Sequence, residues 1–252
     1  MCGRYASSRK PEDLVEEFEI STSGGNKVDE ALAPDYNVAP TKPVYAVMER
    51  SPSSRDDPEP EPPERQLRVL SWGLIPSWAK DPAIGNRMIN ARMETVAEKP
   101  AYKRALAVRR CLLPADGYFE WYPTDEKTKG GKPKKQPFFI RPKDGGPLAM
   151  AGLYEIWRDP TKDDDADDRF LWTCTVITTD AEDDVGKIHD RMPLMVEHDR
   201  WAAWLDPRTD KDTVLDLLVP AAPGRLEAYP VSTMVNAVKN NGPELLEPLD
   251  LS

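Results

Sequence analysis

Short runs of apolar, β-branched and aromatic residues recur along this chain, separated by charged and turn-forming residues. The runs cover residues 44–48, 67–72, 111–113, 117–122, 137–140, 148–156, 170–178 and 226–231. Their lengths are typical of β-strands. Helical patterns are fewer and fall at 11–20, 100–108, 198–205 and 210–218. Because helices do not alternate regularly with strands, we expect an α+β fold with a strongly curved, barrel-like, mainly antiparallel β-sheet and peripheral helices.

A single folded unit is expected to account for most of the chain. A chain of 252 residues is long enough to bury a substantial core, and no linker or internal repeat divides it. We predict one domain over residues 1–240 and a C-terminal tail at 241–252. Polar segments near 51–66, 124–136 and 158–169 are predicted as surface insertions, because their composition cannot pack a core.

The distribution of charge matters more than its total. A net charge of −10 argues against nonspecific binding to nucleic acid, because attraction to phosphates requires clustered cations. Residues 86–110 nevertheless hold seven basic residues against Glu94 and Glu98. These basic residues are Arg87, Arg92, Lys99, Lys103, Arg104, Arg109 and Arg110. This basic stretch is compatible with a nucleic-acid groove inside an otherwise acidic protein.

Several function classes find no support in the sequence. No apolar run is long enough to span a bilayer, and the first residues lack the apolar core of a secretory signal, so we expect a cytoplasmic protein. The cysteines Cys2, Cys111 and Cys174 are too scattered for a disulfide framework or a zinc site. Glycine-rich phosphate loops and HExxH motifs do not occur. We therefore predict no cofactor and no metal.

The cysteine at position 2 is chemically distinctive. Initiator methionine is normally removed when the next side chain is small, which leaves Cys2 with an α-amine and a thiol on adjacent carbons. The amine titrates near ~7.7–8.0 and the thiol near ~8.5, so both are partly deprotonated at neutral pH. Such a pair can condense with an aldehyde into a thiazolidine ring. The alternative is that Cys2 is simply a small residue at a frayed terminus.

Some internal polar residues are candidates for chemistry. Glu120, among aromatic residues, lies either on an exposed strand face or in an apolar pocket that would suit a general acid or base. His189 could shuttle protons or could simply be solvated. Asn90 and Arg92 would share one face of an extended segment and suit an oxyanion or a phosphate. Trp72 and Pro40 are either core residues or surfaces on which a base could stack.

The ordered set of motifs resembles the SRAP family, the SOS-response-associated peptidase domain proteins, also called abasic-site processing proteins. The resemblance runs from Cys2 to about Val235. The segments that carry it are Met1-Cys2-Gly3-Arg4, Asn37-Val38-Ala39-Pro40-Thr41, Trp72-Gly73-Leu74-Ile75-Pro76, Asn90-Ala91-Arg92 with Glu94-Thr95, Pro114-Ala115-Asp116-Gly117 with Glu120-Trp121, and His189-Asp190-Arg191-Met192-Pro193.

The resemblance implies an enzyme of the DNA damage response that acts on abasic sites in single-stranded DNA through lyase-like imine chemistry. It further implies a monomer without a membrane partner, which joins the nucleoid when bound to damaged DNA. Cys2 would form a covalent DNA–protein crosslink with the abasic sugar. The implied catalytic residues are Cys2, Asn90, Glu120 and His189. The implied DNA-binding residues are Arg4, Asn37, Pro40, Trp72, Arg92, Thr178 and Arg191.

Other readings of the same residues stay open. A cysteine peptidase, acting for example on its own Met1, would pair Cys2 with His189 or Glu120. An N-terminal-nucleophile amidohydrolase would also begin with cysteine and would need oxyanion donors such as Asn37 or Asn90. A noncatalytic binder of single-stranded DNA would need the basic stretch and aromatic residues alone.

Overall fold

A computed structural model describes residues 2–20, 31–51, 61–181 and 183–249, without the side chains of residues 183 and 184. Most of the predicted insertion near 51–66 and the last residues of the predicted tail lie outside these ranges. The strands are β1 (Tyr5–Ser7), β2 (Asp35–Val38), β3 (Pro43–Arg50), β4 (Glu64–Trp72), β5 (Asn90–Arg92), β6 (Arg110–Ala115), β7 (Gly117–Lys127), β8 (Pro133–Pro142), β9 (Leu148–Arg158), β10 (Phe170–Asp180), β11 (Arg191–Pro193) and β12 (Leu226–Pro230).

The helices are short and lie between the strands. The α-helices are α1 (Pro11–Glu17), α2 (Pro100–Val108), α3 (Asp183–Gly186), α4 (Trp201–Leu205) and α5 (Lys211–Asp216). Short 3₁₀-helices form at Pro82–Arg87, Met93–Thr95, His198–Arg200, Thr233–Asn236 and Pro243–Leu246. Proline opens both α1 and α2, where its missing N–H has no intrahelical partner to lose. Within the described ranges, no helix is long and apolar enough to cross a membrane.

The strands form a closed barrel and a second sheet. In the barrel, β10 pairs with β4, β4 with β3, β3 with β6, β6 with β9, and β9 again with β10. The pairing of β4 with β10 is parallel and the other four are antiparallel. The short strands β5 and β11 add to β10. The second sheet has the order β12-β8-β7-β1-β2 and is antiparallel. The predicted α+β, barrel-like fold is confirmed.

The site region forms where the barrel interior meets the second sheet. On β10, Cys174 and Val176 belong to the inner cluster of buried residues, whereas Ile177 faces the cluster covered by the helices. This alternation follows from the two-residue repeat of side chains along a strand. The inner cluster also contains Tyr118, which lies on β7 of the second sheet, and Cys2, which lies in the segment just before β1. Residue 2 is therefore part of the core and not a frayed end.

The boundaries of two predicted polar segments change in the structure. The insertion near 124–136 forms the far end of the β7–β8 hairpin, where Tyr122 pairs with Gln136. The residues 241–249 of the predicted tail pack on the domain: Leu245 is fully buried, and Pro248 forms a β-bridge with Val231. The domain therefore continues to Leu249, because apolar residues in this segment complete a small core against the second sheet.

Part of the basic stretch serves the fold. Arg110 is buried, and its guanidinium donates to the backbone carbonyls of Leu106, Ala107, Trp204 and Asp206. These carbonyls lie at the C-terminal ends of α2 and α4, where intrahelical donors run out. Burial lowers the pKa of Arg110 to about 10, so it remains charged at neutral pH. The neighbouring Arg109 forms an ion pair with buried Glu155. Neither belongs to an exposed basic groove, which corrects the predicted extent of the basic stretch.

Arg110→Met is expected to lower the free energy of unfolding by about 3 kcal/mol, because it removes charge-assisted hydrogen bonds and leaves buried carbonyls unsatisfied. Urea unfolding followed by circular dichroism measures the change. Arg208→Met is the matched control, since this exposed arginine only pairs with Asp206 at the surface and should change stability by less than about 1 kcal/mol. Equal stability of the two variants would contradict the assigned role.

Candidate active site

Four side chains predicted from the sequence to act together are brought to one place by four separate segments. Cys2 immediately precedes β1, and Asn90 is the first residue of β5. Glu120 lies in β7, and His189 lies in the loop before β11. The strands carrying these residues belong to different sheets, so their meeting point is the junction of barrel and second sheet. No local sequence motif could bring them together.

Cys2 is held in place by its backbone and enclosed by the core. Its carbonyl accepts a hydrogen bond of 2.7 Å from Nδ2 of Asn90. Asn90 is held in turn, because the hydroxyl of Tyr102 donates to its carbonyl at 3.2 Å. The Cys2 side chain is fully buried. Burial, and next the nearby charge of Glu120, raise the pKa of the Cys2 thiol well above its ordinary value.

Glu120 occupies an apolar pocket. It is 3% exposed, so the structure decides between the two readings that strand alternation left open. The whole segment 117–120 is buried because β7 lies between β1 and β8 while one of its faces packs on the barrel. Burial raises the pKa of Glu120, partly offset by nearby positive charge that includes His189. A raised pKa makes the protonated carboxyl more available than in an ordinary glutamate, so the group is suited both to give and to take a proton.

His189 faces Glu120 with one nitrogen and the backbone with the other. Its Nδ1 accepts a hydrogen bond of 3.0 Å from the backbone N–H of Arg191. In the neutral ring the proton therefore sits on Nε2, which lies 3.9 Å from Oε2 of Glu120. Nδ1 also lies 2.9 Å from a carboxylate oxygen of Asp190. When the ring is protonated on both nitrogens, this oxygen can accept a hydrogen bond from Nδ1. The histidine can thus relay a proton next to the glutamate.

Tyr118 is a residue of the site that the sequence reasoning missed. Its side chain is fully buried in the cluster that contains Cys2. Within the described part of the chain, its hydroxyl has no hydrogen-bond partner. The signal that could have found it is its position two residues before Glu120, which places both side chains on the same face of β7.

Arg4 and Asn37 form a buried support beside the site. The guanidinium of Arg4 donates to Oδ1 of Asn37 at 2.7 Å and to the carbonyl of Val235 at 2.8 Å. Asn37 is fully buried, and its Nδ2 donates to the carbonyls of Val235, Ala237 and Asn240. Burial lowers the pKa of Arg4, and its Nε has no partner among the described residues. Asn37 therefore holds the Arg4 side chain and the backbone of residues 235–240 in position.

Arg191 and Thr178 are also engaged by the protein itself. Arg191 makes a two-pronged ion pair with Glu94, at 2.7 and 3.0 Å, and a second pair with Asp180 at 2.6 Å. It also donates to the carbonyl of Thr178. These bonds raise the pKa of Arg191 and lower that of Glu94. The predicted phosphate contact of Arg191 would need its carboxylate partners to rearrange.

The remaining predicted DNA contacts differ in exposure. Trp72 is 1% exposed, and its indole donates to the carbonyl of Ile89. Pro40 is half-buried in the turn where the N–H of Thr41 donates to the Trp72 carbonyl. Arg92 is exposed and follows Asn90 by two residues in β5. Of these three residues, Arg92 offers the most surface to a ligand.

The part of the chain that the structure describes contains no group of three or more histidine, cysteine or acidic side chains that could hold a metal ion. Fold and site together define a small α+β protein in which a buried cysteine at the second position lies within electrostatic reach of a buried glutamate, which is itself 3.9 Å from a histidine. The comparisons agree. The family described as SOS response associated peptidase (SRAP) matches residues 1–238. The chain belongs to the SRAP family.

The similar proteins carry a common description. The chain is 39% identical over 248 residues to the abasic site processing protein YoqW of Bacillus subtilis, covering 98% of this chain and 99% of that one. It is 32% identical over 253 residues to YedK of Escherichia coli, an abasic site processing protein, covering 99% and 100%. It is 33% identical to HMCES of Gallus gallus, with the same description, covering 86% and 67%.

A solved structure shows the same fold. A crystal structure of a protein from Bacteroides thetaiotaomicron matches with a TM-score of 0.77 and covers 98% of this chain and 100% of that one. The sequence identity of 24% supports a shared architecture and no more.

Proposed function

We propose that this protein processes abasic sites in DNA by forming a covalent crosslink between Cys2 and the ring-opened sugar of an abasic site in single-stranded DNA. The relatives named above are abasic site processing proteins, which supports the substrate class. The observation that carries the chemistry is the buried Cys2, which Asn90 holds near Glu120, whose pKa is raised; Glu120 in turn lies 3.9 Å from His189. Such a cluster suits imine chemistry better than simple binding.

The reaction needs both nucleophiles of Cys2 and therefore a free α-amine, which requires removal of Met1. The amine adds to the aldehyde carbon C1′ of the opened sugar, and the resulting hydroxyl leaves as water to give an imine. The sulfur then adds to the same carbon, and the thiol proton ends on nitrogen. The product is a thiazolidine, with one water released overall. The ring is less prone than an open imine to strand-breaking β-elimination.

Glu120 and His189 would handle the protons of these steps. Opening the sugar ring and expelling the hydroxyl each require a proton donor and acceptor, and a carboxyl of raised pKa can serve both purposes. His189, with Nε2 toward Glu120, would return the proton for the next step or for reversal of the crosslink. Asn90, by holding the carbonyl of Cys2, would fix the direction of the amine.

The high thiol pKa also orders the steps. In the free protein, burial and the charge of Glu120 keep the sulfur protonated. Once the imine forms, its nitrogen can take up the thiol proton, and the positive charge of the resulting iminium stabilises the neighbouring thiolate. The same environment gives less support to the peptidase reading, because a peptidase nucleophile needs a thiol pKa that is lowered from the start. Hydrolysis of a peptide substrate without DNA would favour that alternative.

The experiment that tests the proposal is a denaturing gel. Purified protein is incubated with single-stranded DNA that contains one abasic site, and a band of slower mobility should survive denaturation. DNA whose abasic aldehyde has been reduced with borohydride is the control and should give no such band. Absence of the adduct with the intact aldehyde would refute the crosslinking proposal.

DNA would approach over the exposed part of the basic stretch. Once Arg109 and Arg110 are assigned to the fold, the exposed members are Arg87, Arg92, Lys99, Lys103 and Arg104. Arg92 is on the same strand as Asn90 and pairs in register with Thr178 of β10. We propose that it contacts a backbone phosphate beside the lesion.

Arg92→Ala is expected to weaken binding of single-stranded DNA to a similar degree for all sequences and to reduce the slope of log K against log salt by about 0.7 to 1. Fluorescence anisotropy at several salt concentrations gives the slope. Arg158→Ala is the control, because Arg158 pairs with Phe170 at the other end of β10, roughly 25 Å away at ~3.3 Å per residue. An unchanged slope for Arg92→Ala would exclude the contact.

A further inference from the structure

The hydroxyl of Tyr118 is an unexplained feature of the core. The side chain is 0% exposed, and in the described ranges no group bonds to its oxygen. Burying a hydroxyl without a partner is unfavourable, and native proteins retain few such groups. Phenylalanine would fill the same space without this cost. We therefore expect the hydroxyl to form a hydrogen bond at a stage of the reaction that the unliganded protein does not represent.

The surroundings of Tyr118 include both Cys2 and Glu120. Tyr118 and Cys2 belong to the same packed cluster. Glu120, two residues further along β7, projects on the same side of the strand. Burial first, and then the charges of Cys2 and Glu120, raise the pKa of the Tyr118 hydroxyl, so all three groups lie within electrostatic reach. A phenol with a raised pKa stays protonated and acts as a donor.

The sulfur of Cys2 is the group in this site that most needs donors. Burial raises the pKa of its thiol, and the backbone N–H of Arg4 is the hydrogen-bond donor that opposes this rise. A thiolate accepts more than one hydrogen bond. Another polar atom of the site without a partner among the described residues, Oδ1 of Asn90, is an acceptor and cannot stabilise a negative sulfur. The Tyr118 hydroxyl has the required polarity.

We infer that the hydroxyl of Tyr118 donates a hydrogen bond to the sulfur of Cys2 as the thiazolidine ring closes, and so completes, with the backbone N–H of Arg4, a two-donor site for the thiolate. In this step the thiol proton passes to the imine nitrogen, which also receives the electron pair of the C=N π bond. The Sγ–C1′ bond forms, and nothing leaves. The inference rests on the proposed function and assigns Tyr118 to its second stage only.

The test is Tyr118→Phe, which removes the oxygen alone. Imine formation is measured by trapping with sodium cyanoborohydride, which reduces the imine to a stable amine. Ring closure is measured as adduct that survives denaturation without reductant. Both rates are followed from pH 6 to 9, and the melting temperature is recorded. Tyr229→Phe is the matched control. Tyr229 lies on the outer strand β12, and its hydroxyl donates to the backbone carbonyl of Leu246.

For Tyr118→Phe we expect an unchanged or higher melting temperature and an unchanged imine rate. Ring closure should slow about tenfold at neutral pH, with its pH profile moved about one unit upward, as loss of one hydrogen bond to a charged group implies. A profile that coincides with the wild type would overturn the inference, as would an equal loss at both stages without a pH shift. If the wild-type protein forms no adduct, the proposed function itself fails.

Discussion

Cys2→Ala is expected to abolish the adduct that survives denaturation, because alanine retains the α-amine but has no sulfur to close the ring. Alanine is small enough for Met1 still to be removed. The variant should therefore form an imine that cyanoborohydride traps at a rate close to that of the wild type. Denaturing gels with and without reductant, on DNA with a single abasic site, measure both outcomes. Comparing the gels with and without reductant separates the contribution of the amine, which forms the imine, from that of the thiol, which closes the ring.

The complementary change blocks the amine and leaves the thiol in place. A short N-terminal extension that is not cleaved should abolish both the stable adduct and the trapped imine. Cys174→Ala is the matched control, because Cys174 is equally buried in the inner cluster but lies on β10, and it should retain crosslinking. A stable adduct formed by Cys2→Ala would show that another nucleophile attacks the sugar.

Glu120→Gln is expected to slow adduct formation by about 10²–10⁴-fold, the usual contribution of a positioned acid or base. Glutamine keeps the size of the side chain but cannot exchange a proton. Single-turnover kinetics on abasic single-stranded DNA measure the rate. Glu227→Gln is the control, since Glu227 lies on β12 and only pairs with Arg141 at the surface. Equal rates for the wild type and Glu120→Gln would remove Glu120 from the mechanism.

The same variant should be more stable than the wild type at neutral pH. The pKa of Glu120 is raised in the folded state, mainly by burial, so the native protein binds this proton more tightly than the unfolded chain does. Stability is then lost as pH rises from the ordinary carboxyl pKa through the raised one, because the native state must hold a buried charge. Glu120→Gln should remove this loss. Urea unfolding at pH 4.5 and pH 7.5 shows whether the gap between the two proteins widens with pH.

Gain of stability with loss of rate is a signature that distinguishes a catalytic carboxyl from a structural one. If Glu120 were purely structural, Glu120→Gln would lower the free energy of unfolding of the protein, because the partners of Glu120 would lose a charge to pair with. The comparison with Arg110→Met is informative, since a residue that supports the fold should lower stability and leave the rate per folded molecule unchanged. The two variants are expected to move in opposite directions.

The longer strands and the helices that flank them were predictable because their side-chain periodicity is local. The run at 170–178 corresponds to β10, and the pattern at 100–108 to α2. The strands β5 and β11 were missed because each is only three residues long. They exist as strands because β10 supplies their hydrogen bonds, and that pairing joins residues far apart in the chain.

The basic stretch shows the same limit in its electrostatics. The excess of cations was visible in the sequence, but two of the four carbonyl partners of Arg110, those of Trp204 and Asp206, lie almost a hundred positions later. A count of charges along a segment contains no information about which of them a distant carbonyl or carboxylate will bind. Arg92 and Arg110 look alike in the sequence and differ completely in surroundings.

The sequence alone determined which reactive groups are present: a cysteine at position 2, a glutamate among aromatics, a histidine in a polar loop and the motifs of the SRAP family. The tertiary structure alone decided the properties of those groups. Strand alternation states which side chains share a face, and it is silent on whether that face is covered. Packing of β7 on the barrel buries Glu120, raises its pKa and leaves the Tyr118 hydroxyl without a partner, among the described residues, in the cluster that contains Cys2. Reactivity follows from the loss of water around these groups, which depends on contacts between residues distant in the chain.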